Sequence, residues 1–285
     1  MRNYLKYSSI KLRDLKEPCI PVGPSFSSSG VVAARLAGSV LKIKAPRHSP
    51  GDDCSEHIAP RHDSILNFGF RMDSERVIPD QSWEYASVFR RSWGFYGPWF
   101  TGRQARLTMN IVVYRPVEPK EGVSFFHPRA FEHAVAALQT AYRGHQEENG
   151  VAAWRAPVDW KGVSGLGVPA ASFDLVPMLP GFSSMRRKCY FSIGDHYLVE
   201  ISFRFLQRYP GSQAKRDAQI SRQPMFDLID DILANLQLTL SDEAQQQLEL
   251  VQQHCPDMSV TENFPPLKWP VREGEVSSPL LADSN

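Results

Sequence analysis

Chemistry in this 285-residue chain could come from a dense ligand set at His48, Asp52, Asp53, Cys54, Glu56, His57, His62 and Asp63. Imidazole, thiolate and carboxylate groups hold zinc, but only on a defined and rigid frame. The spacing here fits no zinc box, and Pro46, Pro50 and Pro60 punctuate it. The segment from 46 to 64 therefore reads as a long exposed loop without a metal. A second set is Pro79-Asp80 followed by Glu118-Pro119-Lys120, the order found in metal-dependent nucleases. Two carboxylates would hold magnesium there, and the lysine would assist a water. That pattern wants its second half on a strand, and Pro119 breaks one.

Other catalytic motifs fail at single positions. Gly162-Val163-Ser164-Gly165 has Leu166 where a nucleophile elbow needs glycine for its turn. No Gly-x-x-x-x-Gly-Lys run exists to cradle phosphates, and Gly162, Gly165 and Gly167 do not make a dinucleotide fingerprint. His133, His196 and Cys189 have no partner at a suggestive spacing. No catalytic residue, metal ligand or cofactor is assigned from the sequence.

Binding is the chemistry left. Trp83, Tyr85, Phe89, Trp93, Phe95, Tyr96, Trp99 and Phe100 lie among Arg90, Arg91, Arg103 and Arg106. Rings and guanidinium groups give large contact areas with polar edges, which suits both interfaces and core strands. Alternation across 83, 85 and 89 puts those rings on the buried side of a strand. Past Arg91 the alternation fails, and Gly94, Gly97 and Pro98 suggest a loop. Trp93, Tyr96, Trp99 and Phe100, with Arg90, Arg91 and Arg103, are thus the candidate partner surface.

The elements that must position these groups follow from periodicity. Val40 to Lys44 and Ile65 to Met72 alternate as strands, and Arg106 to Tyr114 does so most clearly, with Leu107, Met109, Ile111 and Val113 on one face. Pro128 opens a helix that aligns Phe131, Val135, Leu138 and Tyr142. Ala170 to Val176 is a short strand. Lys188 to Ile193 and His196 to Leu206 form a hairpin about Gly194-Asp195, with Glu200, Ser202 and Arg204 on a wetted face. A helix runs from Pro224 to Leu236, and Ser241 caps another over Asp242 to His254. The fold class is α+β, a mainly antiparallel sheet with its long helices on one face. Three regions are expected: an irregular N-terminal arm and loop over 1–64, a core domain over 65–254, and a proline-rich tail over 255–285 onto which Phe264, Leu267 and Trp269 could dock.

The balance of 32 basic against 31 acidic residues argues against direct nucleic-acid binding through bulk charge. No run reaches the roughly 20 apolar residues a membrane helix needs. Met1 to Leu15 lacks the continuous apolar stretch of a secretion signal, so a cytoplasmic location is expected. The 4 cysteines are widely spaced and read as free thiols.

The strand Arg106 to Tyr114, the helix Phe131 to Tyr142, the hairpin Arg187 to Phe203 and the helix Met225 to Leu236 together resemble the immunity proteins that accompany toxic effectors of bacterial type VI secretion. Within that group the chain is similar to a protector against a nuclease effector. The resemblance spans residues 65 to 250 and is one of pattern. It implies an antitoxin-like inhibitor that binds its cognate effector toxin stoichiometrically and so serves bacterial competition. A nuclease toxin is basic around its substrate groove, so acidic contacts from Asp52, Asp53, Glu56, Glu147, Glu148 and Asp195 are expected. An effector chaperone or adaptor, and an enzyme whose site assembles only in three dimensions, remain open as rivals.

Overall fold

The computed structural model describes residues 17–52, 54–58, 82–98, 101–179 and 184–270. Among the described residues a short 3-10 turn at Phe26–Ser28 leads into a hairpin of β1 (Gly30–Leu36) and β2 (Ser39–Ala45), followed by the short β3 (His57–Ile58). Two long strands, β4 (Trp83–Tyr96) and β5 (Arg103–Pro116), lead to helix α1 (Pro128–Arg143). Next come a small hairpin, β6 (Glu147–Glu148) with β7 (Val151–Ala152), then β8 (Trp154–Gly162), β9 (Ala170–Pro177), β10 (Arg186–Gly194) and β11 (Tyr197–Gln207). The chain continues through α2 (Gln213–Gln219), α3 (Gln223–Ala234), β12 (Gln237–Thr239) and α4 (Asp242–His254).

The main sheet is 7-stranded, ordered β3-β4-β5-β11-β10-β9-β8, and every pairing in it is antiparallel. A 3-stranded sheet, β1-β2-β12, accompanies it. The α+β class holds. Period-two alternation then decides what covers each face. Leu107, Met109, Ile111 and Val113 of β5 share a core cluster with Leu36, Leu41 and Ile43 of the first hairpin and with Met225, Ile229 and Leu248 of α3 and α4. Tyr114, Phe173, Tyr190 and Leu198 cluster instead with Phe131, Val135 and Leu138 of α1. The long helices are thus divided between the two faces, because the strands are apolar on both and each needs a cover.

The regular elements follow their local chemistry. His127 caps α1 by accepting from Arg129 N–H, and Pro128 occupies its first turn. Ser241 Oγ accepts from Ala244 N–H at 3.2 Å and starts α4 at Asp242 as expected. The arm expected over 1–64 includes a core hairpin, since Leu36, Leu41 and Ile43 are fully buried. The tail docks as anticipated: Leu267 N–H donates to Ala156 O at 2.7 Å, and the Phe264 ring lies 4.9 Å from that of Trp160. The strand expected over 65–72 lies outside the described residues. Among those described, no helix is long and apolar enough to cross a membrane.

Candidate functional site

The aromatic and arginine stretch is a strand throughout, not a strand and then a loop. β4 continues through Trp93 to Tyr96, paired with β5 as far as Arg103, with a register shift between Phe95 and Tyr96. Alternation fails there because both faces of the strand are covered, so Ser92, Trp93, Gly94 and Phe95 are all buried. Trp93 has 0% exposure, and its Nε1 donates to Pro46 O at 3.1 Å. A buried indole with its N–H satisfied is a core group.

The described residues of the segment from 46 to 58 are largely exposed, as expected, with Arg47, Ser49, Gly51, Asp52, Ser55, Glu56 and Ile58 open to solvent, but the segment is tied to the sheet by its charged side chains. Arg91 Nε donates to Glu56 Oε1 at 2.7 Å, and its Nη1 donates to Pro46 O at 3.0 Å. Asp52 receives Arg103 at 2.8 Å and Arg106 at 2.7 Å. Partial burial alone would raise the Asp52 carboxyl, but Arg103, the Cys54 N–H and Arg106 outweigh it and hold it below its ordinary range. Ser92 N–H donates to His48 Nδ1 at 3.1 Å, so Nε2 carries the ring proton and donates to Cys54 O at 2.7 Å. Of the residues that looked like a ligand set, His48, Asp52, Cys54 and Glu56 strap this segment to β4 and β5. Among the described residues, no group of three or more His, Cys, Asp or Glu is placed to hold a metal ion.

Arg91, Trp93, Arg103, Asp52 and Glu56 therefore meet each other or backbone carbonyls inside the chain. Tyr96 is half-buried and exchanges backbone hydrogen bonds with Val22. Arg90 stays exposed, with Nε donating to Asn110 Oδ1 at 2.9 Å. Asp195, in the β10–β11 turn, gives its N–H to Gln247 Oε1 at 3.1 Å and is half-buried. Glu147 and Glu148 are exposed on β6. Glu118 and Lys120 are exposed in the turn that follows β5. Trp99, Phe100, Asp53, Asp80, His62, Asp63 and the side chain of His57 lie outside the described residues.

An ionic cluster is buried beside α1. Lys188 Nζ lies 2.9 Å from Glu200 Oε2, Tyr190 Oη also donates to that oxygen, and Gln139 Nε2 donates to Tyr190 Oη at 2.6 Å. Glu200 and Ser202 are buried here, where the alternation suggested a wetted face. Burial pushes Lys188 down to about 8, with Arg143 and Arg186 adding to the fall and Glu200 opposing it. Burial would raise Glu200, but Lys188, Tyr190 and Arg186 hold it below its usual value. Each charge has its partner within the cluster, which suits a structural role.

The surface with interface character lies elsewhere, on a strap that the sequence reading assigned to an irregular arm. Cys19 N–H donates to Gln219 O at 2.8 Å, and Ser221 N–H returns to Cys19 O at 2.8 Å. Val22 then exchanges bonds with Tyr96 at 2.7 and 2.9 Å. This extended backbone buries Cys19 and Pro21 and turns Ile20 and Val22 outward, 70% and 72% exposed. The strap ends at a groove of about 160 Å³ between Gly23, Pro24 and Phe26 on one side and Leu228, Asp227 and Asp231 of α3 on the other. The alternation of Cys19, Ile20, Pro21 and Val22 was the available signal, and neighbouring prolines masked it.

No protein-family profile, curated protein or solved structure matches the chain.

Proposed function

We propose that this chain is an immunity-type protein that neutralises a toxic effector by binding it stoichiometrically. The observation that carries the reading is the pair Ile20 and Val22, held outward on a strap that is hydrogen-bonded at both ends. Leaving two adjacent branched apolar side chains in water forfeits about 1.5–3 kcal/mol each relative to burying them. A rigid edge of this kind gains that energy when a partner covers it, with little ordering cost. Among the described residues, Lys188 is engaged with Glu200, Arg91 with Glu56, and Arg103 and Arg106 with Asp52, and the acidic groups of α3 supply the polar rim an interface needs.

The anticipated contacts shift accordingly. Asp52 and Glu56 are neutralised by arginines of β4 and β5. Asp227 and Asp231, which are exposed, join the exposed Glu147 and Glu148 as acidic groups available to a basic toxin. Co-purification with the product of the neighbouring open reading frame tests the reading. A one-to-one complex with the native chain that is lost on Val22→Asp supports it. A native chain that forms no complex with that product contradicts it. A complex that leaves the toxin active moves the assignment to an effector chaperone or adaptor.

A further inference from the structure

The groove beside the strap has walls of two chemistries. Asp227 and Asp231 lie four residues apart on α3, so their carboxylates share one helix face. Pro24, Phe26 and Phe95 supply the opposite wall and floor. Gly23 permits this approach, because a Cβ there would run into the Phe95 ring. Asp230, between the two acids in sequence, is turned aside to Arg187, 3.4 Å away. Among the described residues, Asp231 has no ion-pair partner, and Asp227 accepts only from Gln223 Nε2, at 2.8 Å. Lys44 Nζ lies 5.1 Å from the Phe26 ring centroid, so that ring already accepts a cation.

A groove lined by Pro24, Phe26, Leu228 and two carboxylates matches a side chain with a methylene stem and a cationic head. We propose that this groove takes a lysine or arginine side chain of the partner protein, while Ile20 and Val22 bury the apolar surface around it. The assignment rests on the partner-binding reading above and adds the chemistry of the partner's anchor. The methylenes lie along Phe26 and Leu228, and the head reaches Asp227 and Asp231. A guanidinium can meet both carboxylates through its planar fork, which an ammonium cannot do with the same geometry. The partner surface that fits is therefore basic at its centre and apolar beside it, as expected around an anion-binding active site.

The test uses the full chain and a defined probe. Nα-acetyl-arginine amide is titrated into the ¹⁵N-labelled protein, with the uncharged citrulline analogue as control. The expected result is saturable shifts confined to residues 22–26 and 223–231, weak in affinity and screened by salt. They vanish in D227N/D231N while the rest of the spectrum, and so the fold, is unchanged. Shifts that the citrulline analogue reproduces, that scatter over the surface, or that survive D227N/D231N overturn the proposal. Affinity for the neighbouring reading frame's product is then compared between the native chain and D227N/D231N. A fall of about tenfold or more supports the groove as the anchor site. Equal affinity overturns the groove and leaves the inhibitor reading standing. A native chain that fails to bind that product sinks the inhibitor reading, and the arginine titration then decides the groove by itself.

Discussion

Lys188 and Glu200 form an ion pair of 2.9 Å across neighbouring strands, with side chains only 5% and 8% exposed. Tyr190 shares the carboxylate, and Arg143 and Arg186 add positive charge around it. Burial, opposed by Glu200 and assisted by Arg143 and Arg186, pushes the lysine down to about 8 in the folded chain, against an ordinary 10.5. Between those values the unfolded chain binds a proton that the folded chain has released, so this group makes stability rise with pH across that window. Below pH 8 its cost is fully present. Urea unfolding of the native chain and Lys188→Met between pH 7.5 and 10.5 checks this: the difference between the two curves should carry the slope, and a flat difference contradicts it. Glu200→Gln, which strands the buried ammonium, should cost about 3 kcal/mol or more at pH 7.

The cysteines should separate by burial. Cys19 and Cys189 are buried, and burial raises both thiols, Cys189 to about 12. Cys54 and Cys255 are partly exposed. Since the thiolate is the reactive form, iodoacetamide at pH 8 should alkylate Cys54 and Cys255 of the native protein and spare the other two. Peptide mass spectrometry reads the pattern, and rapid labelling of Cys189 without denaturant would contradict the packing of β10.

The β1–β2 turn contains a residue ill suited to it. Ala37 sits at φ 49° and Gly38 at φ 85°, the positive pair that a two-residue hairpin turn requires. Alanine has no side-chain compensation for the left-handed region, whereas asparagine adopts it readily. Ala37→Asn should stabilise the protein by about 0.5–1 kcal/mol, read as a higher midpoint of chemical unfolding with an unchanged slope.

How much of this architecture was legible depended on whether an element had one apolar face. β5, α1 and α4 each show a dominant stripe or a clear cap: Leu107 to Val113 marks β5, which extends past the expected Arg106 to Tyr114 to span Arg103–Pro116, and Pro128 and Ser241 mark the starts of α1 and α4. β4 misled because its second half is buried on both faces, so Ser92 and Gly94 broke the alternation without ending the strand. The bonds of Arg91 to Glu56 and of Arg103 and Arg106 to Asp52 join residues 35, 51 and 54 positions apart. No local pattern encodes such pairings, so Arg91 and Arg103, which resembled an interface, are internal struts, whereas Arg90 stays exposed. The strap was missed because Pro18, Pro21 and Pro24 signalled irregularity. An extended segment can tolerate them where its proline nitrogens face no partner.

Gly23 links the strap to the core. Gly23→Ala places a methyl group against the Phe95 ring, which is 1% exposed and has little room to move. Overpacking of this kind costs about 1–3 kcal/mol. The strap should loosen before the sheet does, so faster amide exchange at Val22 and Tyr96 is the expected signature, with β5 and β11 retaining their protection.

The inhibitor reading itself is tested most directly by growth. The neighbouring reading frame's product is expressed in cells carrying the native chain, the Val22→Asp variant or no protector. Survival with the native chain, and loss of that survival with a Val22→Asp variant that still folds, is the result this account predicts. Cells that die equally in all three cases, or a product that is harmless without the protector, would contradict it.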